Sequence, residues 1–265
     1  PMFRLGEAVQ QYAFRVHSYH HEIIGDMADL RTITRYDLYA HYRRYYVPNN
    51  AVLAIAGDFE TKSMLKRIKE LFERIPKGAT PPRLARPEPE QKGELRFSLE
   101  GPGETCFVQL AYHFPNATDP DYFPLQVLDS LLNGASGLSN KTSRLYRALI
   151  DKGYAVDASG WSDASIDPCL YRITITTHPK RKPEEAIAVL DAEIKKLQDE
   201  LVNNDEIKRA VKQARAVFAY GSEDITHQAF WMGYTAMFST YDWFTTYLTK
   251  LARVTPQDIQ RVARK

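Results

Sequence analysis

The chain has 265 residues, 44% of them hydrophobic and 26% charged, and its 35 basic and 33 acidic side chains leave a formal net charge of +2. No apolar run approaches the ~18 residues of a membrane-spanning helix, and so even a charge balance gives no global reason for binding nucleic acid or a membrane. A soluble chain of about two domains with a sizeable core is expected.

In chain order, Arg4 to Phe14 has a helical apolar rhythm, and the loop HSYHHEIIG, His17 to Gly25, follows it. Three histidines and a glutamate within six residues raise the question of a metal. Zinc needs donors that converge, as in H-E-x-x-H or H-x-x-E-H on one helix face. Here His17, His20, His21 and Glu22 fall in neither order, and a Gly-terminated loop without metal is expected. Thr34 then opens a helix as N-cap with Asp37 at its third position, a capping-box arrangement, and Pro48 ends it. The run AVLAIAGD, residues 51–58, is apolar throughout with a Gly-Asp stop, which predicts a buried strand. A helix over KSMLKRIKELFERI ends at Pro76. Residues 77–93 hold Pro81, Pro82, Pro87 and Pro89, a composition that forbids regular structure and favours an extended linker.

Beyond the linker, ELRFSLE and CFVQLAYHF are expected as strands, DPDYFPLQVLDSLLN and SNKTSRLYRALIDKG as helices, and YAVDASGW and CLYRITITTH as an antiparallel strand pair. Long helices fill the remainder. Ile187, Leu190, Ile194, Leu197 and Leu201 recur at spacings of three and four, the pattern of a core-facing stripe. Cys106 and Cys169 lie in strand-like runs and read as buried thiols rather than a disulfide, which is compatible with a reducing compartment. The Gly- and Ser-rich NGASGLSNKTSR lacks the phosphate-loop frame and reads as a connector. Tyr36, Tyr39, Tyr42, Tyr45 and Tyr46 share one helix with Arg43 and Arg44, and core or interface packing is expected of them rather than base stacking.

The chain also carries a faint internal copy. Leu30, Ile33, Thr34, Asp37 and Leu38 are matched in class and spacing by Leu251, Val254, Thr255, Asp258 and Ile259 near the end. The first copy runs on into the apolar run 51–58, whereas the second reaches Lys265 without one. On this reading both ends are cut, and a free sheet edge or a homodimer contact is expected near the C-terminal helix.

The stretch from His17 to Phe59 resembles a segment of the pitrilysin/insulinase family of zinc peptidases, mitochondrial processing peptidase included, which reads H-P-Y-G-x-x-I-I-G, then I-T-x-x-D-L, then Y-x-P-N-N-A-V-L-x-x-x-G-D. Leu138 to Gly153 and the terminal VTPQDI resemble that family's second homologous domain. The resemblance implies an α+β fold of two homologous peptidase-like domains, each an antiparallel or mixed sheet with helices packed on it. Residues 1–76 would be the C-terminal part of the first, 77–93 the linker and 94–265 a second domain that does not hold zinc. It also implies zinc-dependent proteolysis of a peptide or unfolded polypeptide, with zinc in the full-length enzyme and none in this chain, since no histidine here sits in an H-x-x-E-H frame. Its partner would be the zinc-bearing domain or a homologous subunit. The alternative is a non-catalytic, chamber-forming subunit that pairs with a separate zinc-bearing chain.

For site residues, the family pattern L-R-x-x-x-x-L-G-Y matches Arg147 and Tyr154, seven apart with Gly153 before the tyrosine. These would reach substrate and donate hydrogen bonds to a carbonyl or its oxyanion. Alignment on SRLYRAL instead puts Ile150 at the arginine position, so both registers stay open.

Overall fold

The computed structural model of the chain describes residues 1–83, 86–134 and 141–265. Ten α-helices are described: α1 (Met2–Ala13), α2 (Met27–Thr32), α3 (Arg35–Tyr45), α4 (Thr61–Phe72), α5 (Tyr122–Asn133), α6 (Pro183–Asp199), α7 (Asn204–Gly221), α8 (Ile225–Phe238), α9 (Tyr241–Ala252) and α10 (Pro256–Arg264). Three strands, β1 (Phe107–Phe114), β2 (Ala155–Trp161) and β3 (Cys169–Thr177), form one antiparallel sheet in the order β1-β3-β2. The expected α+β class is therefore observed, as is the antiparallel pairing of β2 with β3.

Alternation along β3 sets the two faces of the sheet. Cys169, Tyr171, Ile173, Ile175 and Thr177 are all buried against the helices, while Arg172, Thr174 and Thr176 on the other face are only half-buried. The helix layer contributes Val127, Leu128 and Leu132 of α5, Leu190 and Leu197 of α6, and Ile259 and Val262 of α10 to the same core. Each such aliphatic side chain contributes about 1.5–3 kcal/mol relative to an exposed one. The expected stripe on α6 is thus real, except that Leu201 lies past the helix end and is exposed. On the opposite face α1 packs on β1, with Val9, Phe14 and Leu170 forming a small second cluster.

Helix starts follow local chemistry. At α3 the Thr34 hydroxyl accepts from Asp37 N–H at 3.3 Å and the Asp37 carboxylate accepts from Thr34 N–H at 2.9 Å. At α10 the Thr255 and Asp258 pair repeats these bonds at 3.2 and 3.0 Å. The internal copy noticed in the sequence is therefore a structural copy at both caps.

Several expectations need correction. Residues 51–58 and 94–100 belong to no strand, and Val52, Leu53, Leu95 and Leu99 are exposed. An apolar run becomes a strand only where a neighbour supplies ladder hydrogen bonds, and among the described residues neither run has one. The tyrosines of α3 are not core: no residue of that helix is buried, and Tyr39, Tyr42 and Tyr46 contact one another instead. Cys106 is exposed just ahead of β1, and only Cys169 is a buried thiol. The helix expected around SNKTSRLYRALIDKG narrows to a π-helical turn, Tyr146–Ile150. Residues 135–140, half of the Gly- and Ser-rich stretch, lie outside the described residues.

Candidate functional site

The corner that holds Arg147 and Tyr154 is built by an unusual turn. Asp151 N–H donates to Tyr146 O at 3.1 Å and Tyr154 N–H to Leu149 O at 2.8 Å, both five residues back, so the last turn is wider than an α-helix. Gly153 reverses the chain with φ +69°, a left-handed conformation that a side chain strains, and β2 starts immediately after Tyr154. Arg147 is exposed, and its Nε donates a long 3.5 Å bond to Ser143 O. Tyr154 is half-buried against the main core and lies under the Arg181 guanidinium, 4.7 Å from the ring centroid. Among the described residues no hydrogen bond or ring contact joins Arg147 to Tyr154. The two sit at either end of one corner, with Arg181 rather than Arg147 over the phenol.

The three histidines of the opening loop are directed to different partners. His17 Nδ1 accepts from Tyr19 N–H at 3.1 Å, and its Nε2 lies 3.6 Å from Asp167. His20 Nδ1 bonds Phe14 O at 2.6 Å, and His21 lies 3.4 Å from Asp26. Their ring nitrogens do not converge. Among the described residues no three His, Cys, Asp or Glu side chains are grouped to hold a metal.

The loop is instead pinned by the proline-rich stretch. The Glu88 carboxylate accepts three successive backbone N–H groups, from Arg15 at 2.7 Å and from Val16 and His17 at 2.9 Å each. Burial works to raise the Glu88 pKa, but these three bonds outweigh it and hold the carboxyl below its ordinary value. Sequence reasoning missed this clamp, because nothing in PEPEQ marks which glutamate finds the N–H groups.

It also missed a buried polar cluster. Asp129 on α5 accepts from Tyr171 Oη and from Asn133 Nδ2, both at 2.8 Å, with no cation in the set. Burial pushes the Asp129 carboxyl up to about 6 despite those donors. Gly160 of β2 closes the space: a Cβ there would stand 2.0 Å from Asn133 Nδ2 and 2.6 Å from Asp129 Oδ1. The helical spacing of Asp129 and Asn133 was visible, but their burial was not.

Under the C-terminal half of β1 lies a cavity of about 1080 Å³, walled by Tyr112, Phe114, Leu125, Leu128, Leu197 and Val262 and bordered by Arg86 to Gln91 of the proline-rich stretch. Its interior is apolar and its rim carries charges of both signs.

Comparison with known proteins agrees with the resemblance read from the motifs. An uncharacterized zinc protease of Streptomyces coelicolor is 24% identical over 251 residues, covering 91% of this chain and 53% of that protein. A mitochondrial-processing peptidase subunit beta of Lentinula edodes is 26% identical over 165 residues, 58% of this chain and 35% of the relative. This chain therefore spans about half the length, or less, of these two relatives. Among solved structures, a protease from Helicobacter pylori superposes with a TM-score of 0.87 at 24% identity, covering 95% of this chain and 60% of that one, a likeness of fold. The profile described as the peptidase M16 inactive domain matches residues 32–214. That match runs through α3, the proline-rich stretch, the sheet and α6 into α7, and on it the chain belongs to the peptidase M16 inactive-domain family.

Proposed function

We propose that this chain is the non-zinc, closing half of a zinc-dependent peptidase, which encloses an extended peptide or unfolded polypeptide against a zinc-bearing half. The observation that carries this reading is the inactive-domain family match over residues 32–214, together with a protease fold that covers 95% of the chain. In this reading residues 1–76 are the C-terminal part of a first peptidase-like domain, 77–93 the linker and 94–265 the second domain. Zinc, held by the other half, would supply the activation of water, and this chain's part is to bind and orient the peptide. Arg147 is the group suited to contact it: it is exposed, and its guanidinium can donate to a peptide carbonyl or its oxyanion. Tyr154, anchored by the core beneath it and Arg181 above it, presents a phenol at the same corner.

The test reconstitutes the chain with its zinc-bearing half and follows hydrolysis of an unfolded peptide. The chain alone should be inactive and the pair active and chelator-sensitive. Arg147→Ala and Tyr154→Phe should each lower kcat/KM, by on the order of 10²-fold if they stabilise an oxyanion and far less if they only hold the peptide. Unchanged kinetics in both variants removes the two residues from the site and leaves the closing-half reading standing.

A second reading has this chain as a partner-binding subunit of a separate zinc-bearing chain, favoured by the relative named as a mitochondrial-processing peptidase subunit. The reading frame ahead of Pro1 separates the two. An H-x-x-E-H there supports one polypeptide, and a distinct zinc protein that co-purifies supports the subunit. A homodimer is a further arrangement compatible with either reading.

A further inference from the structure

The turn between β3 and α6 reads HPKRKP, residues 178–183, and the consecutive cations Lys180, Arg181 and Lys182 stand exposed on it. Its shape is fixed by hydrogen bonds. His178 N–H donates to Tyr154 O at 3.0 Å, which ties the turn to the start of β2. Arg181 N–H donates to His178 O at 2.9 Å, Lys180 N–H to His178 Nδ1 at 3.2 Å and Lys182 N–H to Glu185 Oε2 at 3.2 Å. The turn is thereby a built part of the Tyr154 corner, and α6, which it opens, packs against the π-helical turn that carries Arg147.

This corner holds donors without acceptors. The Arg181 guanidinium stands 4.7 Å from the centroid of the Tyr154 ring. The carboxylate it pairs with, Glu185, is 3.7 Å away, too long for a hydrogen bond, and the two side chains are 40% and 43% exposed, where an ion pair contributes little. Among the described residues neither the guanidinium nor the Tyr154 hydroxyl has a hydrogen-bond partner. Lys180 and Lys182 make no ion pair among them either, and the neighbouring acids Glu184 and Asp151 are exposed and equally unpaired.

The chemistry of the free donors selects their acceptor. A guanidinium fork binds both oxygens of a carboxylate at once, whereas a peptide carbonyl offers it a single oxygen. The ring beneath Arg181 already limits where the guanidinium can go, so less order is lost when the fork binds.

We infer that Arg181, with the Tyr154 hydroxyl beside it and Lys180 and Lys182 flanking it, binds a carboxylate of the peptide and so selects acidic substrates. That carboxylate belongs to an Asp or Glu side chain or to the peptide's C-terminus, which present the same pair of oxygens. The selecting role rests on the reading of this chain as the closing half of a peptidase. The carboxylate contact itself needs only this corner.

Fluorescence anisotropy with the 265-residue chain tests the contact. The probe is a labelled, unstructured peptide of alanine and glycine that carries glutamates, compared with the same peptide carrying glutamines, each with a free and with an amidated C-terminus. A carboxylate-bearing probe is expected to bind on the order of tenfold tighter than the amidated glutamine probe, as one charge-assisted pair would give. Arg181→Ala should abolish that difference and Arg181→Glu should reverse it, with circular dichroism unchanged because the side chain is exposed. Arg181→Lys keeps the charge, loses the fork and should retain only part of the preference. A preference for glutamate over glutamine assigns the contact to a side chain, and a preference for the free over the amidated end assigns it to the C-terminus. Equal binding of all the probes, no binding, or a preference that survives Arg181→Glu overturns the proposal. Offering the same probes to the reconstituted pair separates the two readings. Hydrolysis without a charge preference sinks the selecting role and leaves the closing half standing, whereas Arg181-dependent binding without hydrolysis keeps the carboxylate contact and removes the peptidase reading.

Discussion

Asp129 is where a single residue has the clearest measurable consequence. Its carboxyl titrates at about 6 in the fold against an ordinary value of 3.8, so the folded state holds the proton more tightly than the unfolded chain. Stability contributed by the protonated group is present below pH 3.8 and is lost as pH rises through 6. The shift corresponds to about 3 kcal/mol, an order-of-magnitude figure. Asp129→Asn keeps an oxygen for Tyr171 and Asn133 to donate to and removes the ionisation. Its melting temperature should match or exceed the parent's at pH 7 and fall relative to it at pH 4, as thermal melts across that range would show. A parent whose stability does not vary between pH 4 and 6 apart from other groups' titration would contradict the assignment. Gly160→Ala makes the complementary point, because its Cβ would overlap Asn133, force that side chain off Asp129 and should destabilise the fold at every pH.

At the scale of elements, the two capping boxes form a natural pair of experiments. Their hydrogen bonds are nearly identical, but α10 buries Ile259 and Val262 in the main core, whereas α3 buries nothing. Replacing Thr255 by Ala should cost about 1 kcal/mol of global stability, read as a lower denaturant midpoint with an unchanged slope. The same change at Thr34 should leave that midpoint within error, because α3 is not coupled to the cooperative core. Equal losses from both substitutions would mean that α3 packs more tightly than its exposure indicates. The Glu88 clamp belongs here too. Glu88→Gln loses charge while keeping shape, and backbone exchange at Arg15, Val16 and His17 should accelerate, because charge-assisted bonds are roughly twice as strong as neutral ones.

For the whole molecule, the main core draws its buried residues, among the described ones, only from the span Phe114 to Val262. Stability is accordingly expected to be uneven along the chain. Native-state hydrogen exchange should be slowest in β3, α5 and α6 and fast in α3, α4 and residues 51–58. Uniform protection from α3 to α10 would instead mean one cooperative unit.

The sequence by itself determined the local features: both Thr-Asp caps, the helices that proline ends, the alternation of β3, the stripe on α6 and the family motifs from His17 to Phe59. Each is encoded within a few consecutive residues, through side-chain period or side-chain to backbone hydrogen bonds. The apolar run 51–58 was equally legible as hydrophobic, yet whether such a run forms a strand depends on a neighbouring strand that local sequence does not specify. The tertiary structure alone decided which glutamate of the proline-rich stretch clamps Arg15 to His17, that His17, His20 and His21 part to separate partners, and that Asp129 is sealed beside Tyr171. It also decided that Arg181, not Arg147, covers Tyr154. Apart from those of His20 with Phe14 and His21 with Asp26, these contacts join residues tens of positions apart, and their energies depend on burial and exclusion of water, which no local spacing specifies.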